Sequence, residues 1–477
     1  MRSQTSYFHV GFLAVMAILL NACEGSNPSK RPERADLLNG TYRMSIETIG
    51  GQEYLVVLNT NFQADYAKGS LQFYSLANPD APVQTAALAP LSLPSNVGDF
   101  VFDGERLYVA DRNENQILIF DRNGTNYVPR LKDNGKQEII EVSANPQRLY
   151  LYTYSGNRRL AVLAQSDAII HFINLSDLSF VDASTDGYSA TARGRLPDQQ
   201  TLAGKVGAAF AMKARKEENP PREDRISIGG GERLGFGGNG LALLNPQAEN
   251  PIFIFASQRS NALFSFRTYT WENAANLVWD LDGFKGDHDE SGSRVKGTKE
   301  EGFRGMAVDG NGTVLLSSRT DNVLYRIDRS ELEADVTIDS GVRNTRGYPK
   351  DDQRHAIVAN FDQDKGDNIF PRLGPMALDC TTDATTSVVS CTGGAAASVA
   401  WVLGLGDPDT ASGKLFRVDL NALTWTEASS RGRIPQGIVW YNTGGANRIF
   451  VSHPMDNTIS IFDGTSLELV STISTPR

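Results

Sequence analysis

The chain has 477 residues, with 46 Lys and Arg against 56 Asp and Glu, a formal net charge of −10. Its 40% hydrophobic content excludes a wholly disordered chain, and its length exceeds one small core, leaving two or three ordinary domains or one large repeat array. The acidic balance argues against nucleic acid as the main partner, since no basic surplus exists to neutralise phosphates; the three cysteines exclude a dense disulfide framework, and the 44 glycines imply many turns.

Residues 1–22 read as an address rather than as part of the fold. Arg2 supplies a positive start, and Phe8 to Leu20 is an apolar run broken only by His9 and short for a membrane span of ~20 residues. The run ends in Leu20-Asn21-Ala22-Cys23, which resembles the lipobox of bacterial lipoproteins; Asn21 departs from the small or aliphatic residue usual there. The resemblance implies cleavage before Cys23, acyl chains (palmitate among them) on Cys23, and attachment to the cell envelope. Glu24 after the cysteine points by the same analogy to the outer membrane. The alternative is an ordinary secretory signal followed by a chance cysteine. Residues 23–39 are polar and read as a flexible tether.

From residue 40 onward the chain repeats itself. Arg106-Leu-Tyr-Val-Ala-Asp-Arg-Asn-Glu-Asn115-Gln-Ile-Leu-Ile-Phe-Asp121 aligns without a gap to Arg448-Ile-Phe-Val-Ser-His-Pro-Met-Asp-Asn457-Thr-Ile-Ser-Ile-Phe-Asp463. Further copies centre on Asn261 and Asn322, a weaker one on Ala168, and partial ones on Gly69 and Gly413. Each copy is two short strands rich in Val, Ile, Leu, Phe and Tyr around a polar turn, a hairpin pattern, and the Asn or Gly before the second strand suits a positive φ. Another strand-and-turn unit precedes several copies, as in Gly305-Met-Ala-Val-Asp-Gly-Asn-Gly312, and an outer-strand candidate follows the last, Leu467 to Ile473. Four strands per unit make a propeller blade.

These phrases resemble the YVTN and NHL families of β-propeller repeats. The expected fold is therefore all-β, a seven-bladed β-propeller of four-stranded antiparallel blades over residues 40–477. The resemblance bears on architecture and not on activity, because such repeats serve lactonases, lyases, scaffolds and binding proteins alike. Two wide gaps between anchors, at 183–238 and 330–372, read as insertions. The first contains Leu196 to Lys216, predicted helical from the spacing of Leu202, Val206, Phe210 and Met212; the second is polar and loop-like.

Candidate chemistry is sparse. Cys380 and Cys391 could close a short disulfide loop, the alternative being two buried thiols. Asp280, Asp282, Asp287, Asp289 and Glu290 gather hard oxygen ligands that could hold Ca²⁺, against the default of a solvated acidic turn; Asp362, Asp364 and Asp367 are a weaker case. Gly235 to Gly240 matches G-x-G-x-x-G but lacks a strand–turn–helix setting. Propeller geometry brings hairpin turns and inner-strand starts together around the channel mouth. That ring would hold Asp111, Arg112, Gln258, Ser318, Arg319 and His453, with Arg304 and Gln436 at inner-strand starts, and arginines there could grip an anionic group. The competing reading is that each of these residues caps a turn. The expected function is a binding or protein-interaction scaffold, its partner another envelope protein or a small ligand, with no firm cofactor. The alternative is a lactonase-like hydrolase, metal-assisted in one version.

Overall fold

The computed structural model describes residues 31–180 apart from 62, 143, 155 and 165–168. It further describes 210–211, 240–243, 252–256, 262–267, 277–280, 303–318, 323–327, 345–347, 355–360, 372–380, 396–406 and 412–474. Within these residues the strands pair into seven sheets of four or five strands. Six of the sheets have described side chains; the fourth, Gly240 to Asp280 with Thr345–Gly347, is defined by strand pairing alone.

The inner strands are Thr41–Ile49, Val97–Asp103, Pro146–Tyr154, Gly240–Leu243, Phe303–Val308, Leu373–Leu378 and Gly437–Thr443. Each is the first strand of its sheet. Consecutive sheets from the second onward meet through these strands, the first meets the second where Gln52–Asn59 lies against Val97–Asp103, and Gly437–Thr443 lies against Thr41–Ile49, so the ring closes. This is an all-β propeller with antiparallel blades. The third strands begin at Gly69, Gln116, Ile169, Ala262, Val323, Lys414 and Thr458, at or one residue after the seven repeat anchors. Apolar side chains from facing sheets form the cores. Val56, Phe73, Phe100 and Val109 join the first two sheets; Leu55, Val57, Phe450 and Ile461 join the first to the last.

The repeat has a physical basis in pairing. The Arg that opens the motif and the Asp that ends it stand opposite each other across the hairpin. Arg106 pairs with Asp121 at 3.1 Å and Arg448 with Asp463 at 3.1 Å, while in the third sheet Arg159 donates to Asn174 at 3.1 Å. The central Asn adopts positive φ, 55° at Asn115 and 52° at Asn457. Its side chain then reaches the next sheet: Asn115 Oδ1 accepts from Asn145 N at 2.9 Å, and Asn457 Oδ1 from Gly40 N at 2.8 Å. The two accepting bonds therefore fasten one hairpin to the start of the following inner strand. The recipient residues, Gly40 and Asn145, are themselves left-handed, at 62° each.

The last sheet is built wholly from residues 437–474 and the first from residues 41–93, so no strand is exchanged at the closure. Side chains hold it instead. Besides Asn457, Arg448 pairs with Asp80, Tyr441 OH donates to Glu53 at 2.9 Å, and Ser452 Oγ donates to Thr41 O at 3.3 Å.

The structure differs from the sequence reading in three places. Phe210–Ala211, inside the stretch predicted helical, is a strand that pairs with Ile169–Ile170 and completes the third sheet; an open sheet edge outcompetes weak helical periodicity. His355–Asn360, inside the second expected insertion, is the outer strand of the fifth sheet, and Thr345–Gly347 adds in parallel to the fourth. The remainder of both stretches lies outside the described residues. The segment assigned to the tether is partly docked: Pro32 O accepts from Ala67 N, Ala35 O from Gln72 Nε2, and Leu38 is buried in the joint between first and last sheets.

Candidate functional site

Inner strands start at one end of the axis, beside the turns between second and third strands. A β-bulge interrupts that start in five sheets, between Thr41 and Arg43, Val97 and Phe100, Pro146 and Arg148, Phe303 and Gly305, and Leu373 and Met376. A bulge re-aims the side chains around it. Matching the strand registers places Arg43, Asp99, Arg148, Gly305, Pro375 and Gly437 at equivalent positions around the ring. Three consecutive sheets thus carry Arg, Asp and Arg, while the other described sheets carry Gly, Pro and Gly. The charged chemistry occupies one sector.

Asp99 is fully buried at the centre of that sector. Its Oδ1 lies 3.0 Å from Arg43 Nε and accepts from Phe100 N at 3.0 Å; its Oδ2 accepts from Leu149 N at 3.1 Å and lies 3.9 Å from Arg148 Nη1. The Arg43 and Arg148 side chains keep 21% and 8% of their exposure. Burial pushes the Arg43 guanidinium below its ordinary range, as does the Arg148 charge, and Asp99 opposes both.

Arg112 joins them from the hairpin turn of the second sheet. Its Nε donates to Asn145 Oδ1 at 2.6 Å, and among the described residues it forms no ion pair. Burial lowers its pKa, Arg148 adds to that, and Tyr42 opposes it. Gly98 makes room for it: a Cβ there would sit 3.0 Å from Arg112 Cδ and 2.6 Å from Pro146 O. Across the same point Gln147 Nε2 donates to Tyr42 OH at 2.9 Å, linking the first and third sheets over the second.

Of the described residues in the ring expected from sequence, the structure brings only Arg112 into this cluster. Asp111 is buried but closes its own hairpin, accepting from Asn113 N, Glu114 N and Gln116 Nε2 at 3.0 to 3.3 Å. It caps its turn. His453 lies in the last sheet, fully buried against Gly432, and burial lowers its pKa to about 4, so its ring is neutral. Gln436 donates its backbone N–H to Ser452 O at 3.1 Å. Gln258 and Arg319 lie outside the described residues, as do the side chains of Arg304 and Ser318.

The acidic run Asp282, Asp287, Asp289 and Glu290 also lies outside them, and of Asp280 only the strand position is described. Among the described residues no group of three His, Cys, Asp or Glu could hold a metal ion. Cys380 is buried and disulfide-bonded, while Cys391 and Cys23 lie outside the described residues.

Sequence reasoning missed Tyr42, Arg43, Asp99, Gln147 and Arg148. A signal was present: Asn145-Pro-Gln-Arg148 parallels Ile434-Pro-Gln-Gly437, whose glutamine the same reasoning had placed at an inner-strand start. The first, second and sixth described inner strands share with these a left-handed residue three positions upstream, namely Gly40, Asn96, Arg372, and here Asn145 and Ile434.

No family model matches the chain, and no curated protein matches its sequence. Among solved structures it is similar to virginiamycin B lyase from Staphylococcus aureus, with 10% identity, TM-score 0.42, and 88% of this chain and 94% of that one covered. It is also similar to Kuenenia stuttgartiensis hydrazine synthase, with 10% identity, TM-score 0.44, and 93% and 99% covered. A third is AztD from Citrobacter koseri, with 14% identity, TM-score 0.38, and 91% and 86% covered. At these scores the propeller assignment rests on the chain's own sheet order.

Proposed function

We propose that this chain is an envelope lipoprotein, anchored through Cys23 to the outer membrane, whose seven-bladed propeller is a binding or protein-interaction scaffold. The observation that carries the binding role is the one-sided cluster at the axial end. Its groups are guanidiniums, a phenol and an amide, which recognise ligands by hydrogen bonding and charge, and its one carboxylate is committed to Arg43 and two backbone N–H groups. The address rests on the charged–apolar–cysteine order of residues 1–23. Two acyl chains would make the anchor stable, since each buried CH₂ contributes ~0.8 kcal/mol.

Fractionation tests the address. Mass spectrometry should find Cys23 as the acylated mature N-terminus, and Cys23→Ser should move the protein from the membrane pellet to the soluble fraction. An intact Met1 would remove the address. Crosslinking in intact envelopes should capture a partner, and a clean monomer there would remove the protein-scaffold role.

A further inference from the structure

We infer that the sector around Arg112 is a binding site for the oxyanion group, carboxylate or phosphate, of a small solute. This deepens the scaffold reading at the same site. Arg112 is held rather than free to wander: Asn145 takes its Nε at 2.6 Å, and the Asn145 backbone is in turn fixed by the Asn115 side chain. With Nε committed, neither Nη group of the fork is taken by another of the described residues, the geometry that suits two oxygens of one anion.

Two neighbours suit the same ligand. Tyr42 raises the pKa of Arg112, and its hydroxyl accepts from Gln147 Nε2 at 2.9 Å, which leaves its own O–H to donate. The other end of the Gln147 amide, its Oε1 as placed, is buried with no hydrogen-bond partner among the described residues, in a residue only 5% exposed. Because a phenol both donates and accepts, the amide can turn either end toward Tyr42 and present its NH₂ to an anion. Arg148 adds positive potential, felt by Arg112 as a lowering of its own pKa. An arriving anion would relieve that repulsion. Asp99 does not compete, because its oxygens already accept from Phe100 N and Leu149 N and face Arg43. The bare Cα of Gly98 lets the Arg112 stem and the Pro146 carbonyl pack directly over it, which sets where the guanidinium stands.

Calorimetric titration of the full-length protein in detergent, at constant ionic strength, tests the site with succinate and inorganic phosphate as probes and choline chloride as control. At least one probe should bind saturably, one per chain. Arg112→Gln should weaken it roughly tenfold to a hundredfold, with an unchanged far-UV circular dichroism spectrum showing that the propeller is still folded. Arg112→Lys should recover only part of the affinity, because a point charge cannot replace the fork. Preference for succinate marks a carboxylate solute and preference for phosphate a phosphorylated one; either supports the inference. Binding of neither probe at ~10 mM, or Arg112→Gln binding as tightly as wild type, overturns it. Because envelope crosslinking is read separately, a captured partner without anion binding would leave the scaffold reading standing and this site refuted.

Discussion

Replacing Asn457 should loosen the ring at its closure, in a way that separates backbone conformation from hydrogen bonding. Asn457 is left-handed at φ 52°, and its Oδ1 accepts from Gly40 N at 2.8 Å. In Asn457→Ala the bond is lost, at about 1 kcal/mol net. A left-handed alanine costs a further ~1–2 kcal/mol, so the total is about 2–3 kcal/mol. Asn457→Gly loses the same bond but tolerates the conformation, so it should be the milder change by ~1 kcal/mol after allowing for glycine's greater chain entropy.

Trp401 and Trp440, stacked with centroids 5.7 Å apart between the sixth and seventh sheets, give a fluorescence signal close to the closure for urea unfolding. Asn115→Ala removes the same kind of bond at the joint between the second and third sheets, and should lose a similar amount. Equal losses in the Gly and Ala variants would refute the conformational part of the argument. A wild-type midpoint in both would refute the role of Asn457 in closure.

Other outcomes follow from individual contacts. Asp99→Asn removes the buried carboxylate that faces partly exposed Arg43 and should destabilise by ~1–3 kcal/mol in denaturant titration, because water reaches the guanidinium left behind and softens the loss of a buried partner. Gly98→Ala should both lower stability, by ~1–3 kcal/mol, and weaken succinate or phosphate binding, since the added methyl meets Pro146 O and Arg112 Cδ. Stability should fall with acid between pH 6.5 and about 4. His453 is held neutral by burial, with its folded pKa depressed, so the unfolded chain binds the proton first; the contribution is full above pH 6.5 and declines as pH drops toward the folded value. His171, pushed to about 3 by burial, acts in the same direction, and His171→Phe should flatten the slope of melting temperature against pH. Arg448→Ala removes partners on both Asp463 and Asp80 and should hasten proteolytic opening between first and last sheets more than Arg106→Ala opens its own hairpin.

The gapless Arg106–Asp121 and Arg448–Asp463 copies determined the hairpin, the strand pairing and the radial fold. This followed because a cross-strand Arg–Asp pair and a left-handed Asn are local requirements that leave a local pattern. Asp111 was legible as a turn residue for the same reason, its oxygens accepting within six residues of chain. Short outer strands such as Phe210–Ala211 were not legible, since two residues carry no period and only an open edge recruits them. The Arg112 site belongs to tertiary structure. Tyr42, Asp99, Arg112 and Gln147 come from three sheets, and the register of bulged inner strands alone sets them side by side. Sequence fixes which residues can bulge; ring closure decides which of them meet.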